Sequence, residues 1–300
     1  MPDARAIELK RRDGQVGLAL GLGAALCWGC FPSYFRLLSA ISPYELVAQR
    51  IGWSVVLLAV LLPLTGKTRE FVSIWRTPRT LALLALSAAL IAVNWLVFVI
   101  CVTTGHVVES SLGYFILPLV NVLLGRVILK EKLSKRQALA CAIAGLGVVL
   151  FMIAAGRDIV LSLLLAGSFG SYGLCRKIVR ADAVPGVAVE NALLLPAAAA
   201  YMWWCASQGT LHFGGTLPGV TEALIIGTGF VTVLPLVLYS AAARRLPMAT
   251  LGIIFYVNPT MQFIMGVLVY GEPMSELRFA GCIAIWFALA IYTSDRKTAG

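Results

Sequence analysis

Cys27 and Cys30 stand at the C-x-x-C spacing of a dithiol redox centre, and His106 and Glu109 at a spacing that puts two metal ligands on one helix face. A reactive thiol needs a helix N-terminus or a basic neighbour to lower its pKa. Cys27-Trp28-Gly29-Cys30 instead lies inside an apolar run, where desolvation favours the neutral thiol. A metal takes three or four ligands, and the one other histidine, His212, falls in a loop between apolar runs. The seven cysteines are scattered through apolar segments and read as small buried residues. The chain has no Walker A loop, HExxH or GxSxG motif. No catalytic residue, metal site or cofactor is expected.

A different chemistry is offered by polar residues that interrupt apolar runs. Ser110, Tyr114 and Asn121 follow i, i+4, i+11 and share one helix face. Ser111 adjoins them, Asn94 and Trp95 sit mid-run, and Tyr34, Tyr172, Thr232, Tyr239, Tyr256 and Gln262 add hydroxyls and an amide. Single interhelical hydrogen bonds would account for any one of these. As a set, with Trp28, Phe115 and Phe169 as apolar surface, they suit a cavity that binds a small molecule. The expected substrate contacts are Trp28, Tyr34, Asn94, Trp95, Ser111, Tyr114, Asn121, Phe169, Tyr172, Tyr239, Tyr256 and Gln262. Glu45, Glu109, Glu190 and Glu222 fall at predicted helix starts, where a carboxylate complements the dipole. Arg50 and Arg176 lie toward opposite ends of their segments and could gate by pairing with Glu109 or Glu190. Glu45, Arg50, Glu109, Arg176 and Glu190 are therefore the coupling or gating candidates.

These residues need elements that hold them inside a bilayer. With 60% hydrophobic residues, 13% charged residues and a mean hydropathy of +0.89, the 300-residue chain lies outside the soluble globular range. Apolar stretches long enough to cross a hydrocarbon core of about 30 Å run over 17–38, 46–64, 80–103, 108–129, 136–155, 158–175, 187–206, 220–243, 248–270 and 278–294. Pro32, Pro118, Pro235 and Pro259 fall inside them, and each removes a backbone hydrogen bond. The freed carbonyls must find protein partners or face a water-filled cavity. The first stretch is too long for a signal peptide and lacks a small-residue cleavage site, so it reads as a retained helix.

The chain also repeats itself at an offset of 141 residues. Pro118, Gly125, Glu131, Ser134 and Cys141 recur as Pro259, Gly266, Glu272, Ser275 and Cys282, so that P-x6-G-x5-E-x2-S occurs twice. Glu131 and Glu272 read as helix-capping turns. An odd number of spans per copy inverts the second copy. The basic residues agree: only Arg36, Arg50, Arg157 and Arg278 fall toward the side away from the N-terminus. The loop at 65–79 holds Lys67, Arg69, Arg76 and Arg79 while its partner near 207–219 holds no basic residue. The expected fold is all-α and integral to the membrane, ten transmembrane helices as two inverted five-helix repeats. An N-terminal segment (1–16) precedes the first repeat (17–155), and the second (158–294) precedes a tail (295–300), both termini being cytoplasmic.

The stretches GCFPSYFR (29–36), ELVAQRIGWS (45–54), NWL (94–96), ESSLGYFILPLV (109–120), SFGSYGLCRK (168–177) and LGIIFYVNPT (251–260) resemble the RarD branch of the EamA family, within the drug/metabolite transporter superfamily. The likeness runs from about residue 15 to 294. It departs from the branch pattern at Gln49, Thr103, Leu117 and Phe255, where polar or different groups usually stand. The resemblance implies a ten-helix exporter or permease of the bacterial inner membrane. The expected function is a secondary transporter of small organic metabolites such as amino acids, working by alternating access. Its partners are a small-molecule substrate and the lipid bilayer, with no nucleic acid; a homodimer is compatible with the sequence. Efflux of chloramphenicol-like drugs is the competing cargo, and a non-transporting receptor or membrane-embedded enzyme the competing class.

Overall fold

The computed structural model describes residues 4–103, 107–155, 159–214, 218–265 and 276–294, and among these the regular structure is entirely helical. In chain order the helices are α1 (Ala4–Gly29), α2 (Phe31–Arg36), α3 (Pro43–Leu64), α4 (Thr68–Trp75), α5 (Pro78–Thr103), α6 (Val107–Val127), α7 (Lys135–Ala155), α8 (Ile159–Ile178), α9 (Ala183–Ser207), α10 (Gly219–Arg245), α11 (Met248–Phe255), α12 (Val257–Ile264) and α13 (Glu276–Thr293). Over their described residues the ten predicted apolar stretches fall on these helices, with α1 and α2 sharing one stretch and α11 and α12 another. Among the described residues five stretches, Arg12–Arg36, Pro43–Leu64, Pro78–Phe98, Ala183–Ser207 and Gly219–Arg245, are long and apolar enough to cross a membrane; Gly113–Val127 and Phe279–Tyr292 are shorter apolar helices.

Local chemistry explains most boundaries. Pro43 opens α3 and Pro78 opens α5, and Pro218 and Pro247 stand just ahead of α10 and α11. Proline is tolerated there because the first-turn N–H groups have no partner within the helix. Glycines with φ of +68° and +66°, Gly66 and Gly209, end α3 and α9. In both turns the following residue bonds back to the third-last helical carbonyl, Lys67 to Leu62 and Thr210 to Cys205, each at 2.9 Å. Ser134 and Gln137 cap α7 reciprocally. Glu131, expected to cap its own turn, instead accepts from the Met248 and Ala249 N–H groups at the start of α11.

Two expectations change. Glu190 lies two turns inside α9 rather than at its start, because Pro185 sits in the first turn, where it has no bond to lose. The stretch 65–79 is not only loop: it holds the short helix α4, whose Phe71 and Ile74 pack against Leu84, Val179 and Val189 while Val72 and Trp75 stay exposed.

α1 packs on α10 while α8, its counterpart at the 141-residue shift, packs on α5, the counterpart of α10. α6 lies against α8, as α11 and α12 lie against α1; α3 meets its counterpart α9, and α7 its counterpart α13. Leu64, Trp203, Val220 and Phe287 are exposed, whereas Asn94, Asn121, Arg176 and Glu190 are buried. Polar groups inside and large apolar ones outside is the reverse of a soluble protein.

Candidate functional site

At the centre of the bundle, where α1, α8, α10 and α11 meet, Trp28, Phe169, Tyr172, Tyr239 and Phe255 form one aromatic cluster. Trp28 and Phe169, counterparts at the 141-residue offset, meet edge to face at 5.3 Å. Trp28 is 5.5 Å from Phe255 and 5.8 Å from Tyr239, and Tyr172 stacks on Tyr239 at 5.9 Å. The contact of Tyr239 with Phe255 at 5.0 Å has its counterpart in Phe98 with Tyr114 at 6.2 Å. Tyr239 fits only because position 173 is glycine: a Cβ there would overlap its hydroxyl.

Proline chemistry adds polar groups at this level. Pro32 has no N–H to bond the Trp28 carbonyl four residues back, and Gln262 Nε2 donates to that carbonyl at 3.4 Å while also bonding Asn258 Oδ1 at 2.9 Å. Asn121 is fully buried against Gly170 of α8 and Gly252 of α11, and neither its amide nitrogen nor its oxygen has a hydrogen-bond partner among the described residues. The hydroxyls of Tyr239 and Tyr256 are likewise buried without a partner there. Asn94, by contrast, is satisfied: its Nδ2 donates to the Leu165 carbonyl (3.0 Å) and Ser168 Oγ (3.1 Å), tying α5 to α8.

The two arginines sit in different surroundings. Arg176 and Glu190 pair at 3.4 Å, both buried. Around them Ser87 donates to Glu190, Tyr172 donates to Glu190 at 3.4 Å, and Arg176 Nε donates to Ser240 Oγ at 3.0 Å. Gly186 makes room for the guanidinium, which a Cβ at that position would overlap. Tyr172 thus joins the ionic network to the aromatic cluster. Arg50 is also buried, but its neighbours are rings: Trp95 at 4.8 Å, Phe35 at 5.1 Å and Phe31 at 5.9 Å from Cζ to the centroid. Its Nε donates to Thr232 Oγ1 at 2.9 Å, and Tyr114 lies within reach of its charge.

The bundle ends are fastened separately. At the end carrying most basic residues, Asp182 bridges Lys67 and Arg244, Glu70 accepts the Asp182 N–H at 2.8 Å, and Arg245 pairs with Asp13 at 3.0 Å. Hydrogen bonds first from Lys67 and then from Arg244 hold the Asp182 carboxyl down at about 2. At the opposite end buried Glu45 accepts from the His212 N–H (3.0 Å) and contacts its Nδ1 (2.7 Å), while the Tyr34 hydroxyl donates to the Leu224 carbonyl.

The structure thus gathers Trp28, Phe169, Tyr172 and Tyr239 in one cluster, Trp95 and Tyr114 around Arg50, and Arg176 with Glu190. It sets Glu45 and Tyr34 apart at one end. The side chains of Glu109 and Ser111 lie outside the described residues. Sequence reasoning missed Phe31 and Phe35, which are spaced i, i+4 and lie over Arg50, and Ser87 and Ser240, whose spacing alone carries no signal.

The profile of the EamA-like transporter family matches residues 15–153. The chain is 39% identical over 290 residues to an uncharacterized transporter of Vibrio cholerae, covering 97% of this chain and 96% of that one. It is 38% identical to protein RarD of Escherichia coli, covering 93% and 94%. A crystal structure with 14% identity superposes with a TM-score of 0.70 over 92% of this chain and 97% of its own, a likeness of fold.

Proposed function

The chain belongs to the EamA-like transporter family, in its RarD branch, and we propose that it is a secondary transporter of small organic metabolites such as amino acids. In this reading ten helices cross the bacterial inner membrane as two inverted halves, 17–155 and 158–294, with both termini cytoplasmic. The halves rock about a central site. The observation that carries the reading is Asn121: a buried amide with no partner among the described residues, beside an aromatic cluster in which counterpart residues of the two halves meet. An unpartnered buried amide is costly, and a cargo that bonds it in part of the cycle supplies the missing partner. The helix pairings that exchange under the 141-residue shift support the two-half arrangement. The basic end, fastened through Asp182, would be the cytoplasmic gate, with Arg176 and Glu190 behind it.

Uptake of a labelled pool of amino acids, related metabolites and chloramphenicol into inside-out vesicles tests this, with and without a pH gradient. Accumulation of one cargo by the wild type and its loss in Asn121→Ala is expected. Correctly inserted protein that binds a cargo yet moves none of it would overturn the transporter reading in favour of a receptor.

A further inference from the structure

The two halves treat their buried arginines differently. Arg176 of the second half has Glu190 at 3.4 Å, and Ser87 closes the group. At the 141-residue offset the corresponding triple is Phe35, Gln49 and Thr228, so the carboxylate has become a neutral amide. Arg50 stands next to that Gln49 and about two turns inside α3, roughly 10 Å from its first residue. Arg50 is 7% exposed. Its Nε donates to Thr232, and among the described residues no other hydrogen bond and no ion pair of this guanidinium is found. Trp95, Phe35 and Phe31 face it with their rings. Rings attract the charge but accept no in-plane N–H bonds. An arginine fork whose terminal nitrogens have no protein acceptor matches a carboxylate bidentately.

We infer that Arg50 is the anchor for an anionic group of the cargo, and that the cargo is a carboxylate with an apolar or aromatic body. The carboxylate takes the Nη groups of Arg50, with Thr232 holding the guanidinium in place. Trp95, Phe31 and Phe35 cover the apolar carbon next to it, and Tyr114 borders the site. Intramembrane charges face partners or pathways; here the partner arrives with the cargo. The inference rests on the transporter reading and narrows its cargo to carboxylates.

The test is calorimetric binding to the purified full-length protein in detergent. Carboxylates graded from acetate through phenylacetate to indole-3-acetate are each compared with the corresponding amide. At least one carboxylate is expected to bind roughly 10- to 100-fold more tightly than its amide, the range of a charge-assisted hydrogen bond. Arg50→Gln should bring the carboxylate down to the level of its amide and leave the amide unchanged. Thr232→Asp keeps Arg50 but offers it an internal carboxylate at the observed contact, and should abolish the discrimination while the protein keeps its melting profile. No carboxylate preferred over its amide, or a preference that survives either substitution, overturns the inference. Counterflow in proteoliposomes separates the two readings. A carboxylate that binds through Arg50 but is not carried leaves the anion site standing and removes the transport role. A neutral cargo carried equally by wild type and Arg50→Gln, with no carboxylate preference, does the reverse.

Discussion

Two residues test how tightly the centre is built. Gly173→Ala places a methyl group on the Tyr239 hydroxyl, and overpacking of this kind costs about 1 to 3 kcal/mol. Adding Tyr239→Phe removes the clashing oxygen, which has no partner among the described residues, so the double variant should recover much of the loss. Melting curves in detergent check this; additive losses would show that the contact is not the cause. Glu190→Gln leaves Arg176 buried without its counter-charge, and breaking one side of a buried pair costs about 3 to 5 kcal/mol. Replacing both residues with apolar ones of similar size should cost much less. If the single and double variants melt together, the pair contributes nothing beyond packing.

At the scale of elements, Glu131 shows a helix start served from another helix connection. Its carboxylate takes the first N–H groups of α11, with Lys177 Nζ at 3.8 Å. Glu131→Ala should destabilise the start of α11 by about 1 kcal/mol, the usual value of a cap with its dipole term. Amide exchange at Met248 and Ala249 should speed up while α7 is unaffected; equal protection in both proteins would make the contact incidental. The broken pairs α1/α2 and α11/α12 follow from local chemistry of another kind. Cys30 and Tyr256 interrupt the helices close to Pro32 and Pro259, and at Pro32 the freed carbonyl is the one Gln262 finds.

For the whole molecule, the clasp on Asp182 joins the turn after α3, the start of α9 and the end of α10. Its carboxyl is held at about 2, below the ordinary value of 3.8. A depressed carboxylate stabilises this end of the bundle above its unfolded pKa, and the contribution is lost as pH falls through about 2. The clasp is therefore constant between about pH 5 and 8, and any pH dependence of transport there must come from elsewhere. Asp182→Asn removes the clasp at every pH. Maleimide labelling of buried Cys175, read by peptide mass, should then accelerate; an unchanged rate would mean that the end stays shut without it.

The helices were legible in the chain because hydropathy is a local property. α4 was hidden by its basic residues, and the early start of α9 by Pro185, both cases in which a local signal points the wrong way. The pairing of Trp28 with Phe169 followed the 141-residue offset and could have been guessed from it. The fate of the charges could not. Arg176 and Arg50 look alike in sequence, yet one meets Glu190, fourteen positions along, and the other meets Thr232, 182 positions away, with three rings. Sequence sets which charges enter the low-dielectric interior, but their neutralisation depends on helix packing that brings distant side chains within a few ångströms. Only the tertiary structure decided that one arginine is paired with a carboxylate and the other with a hydroxyl and three rings.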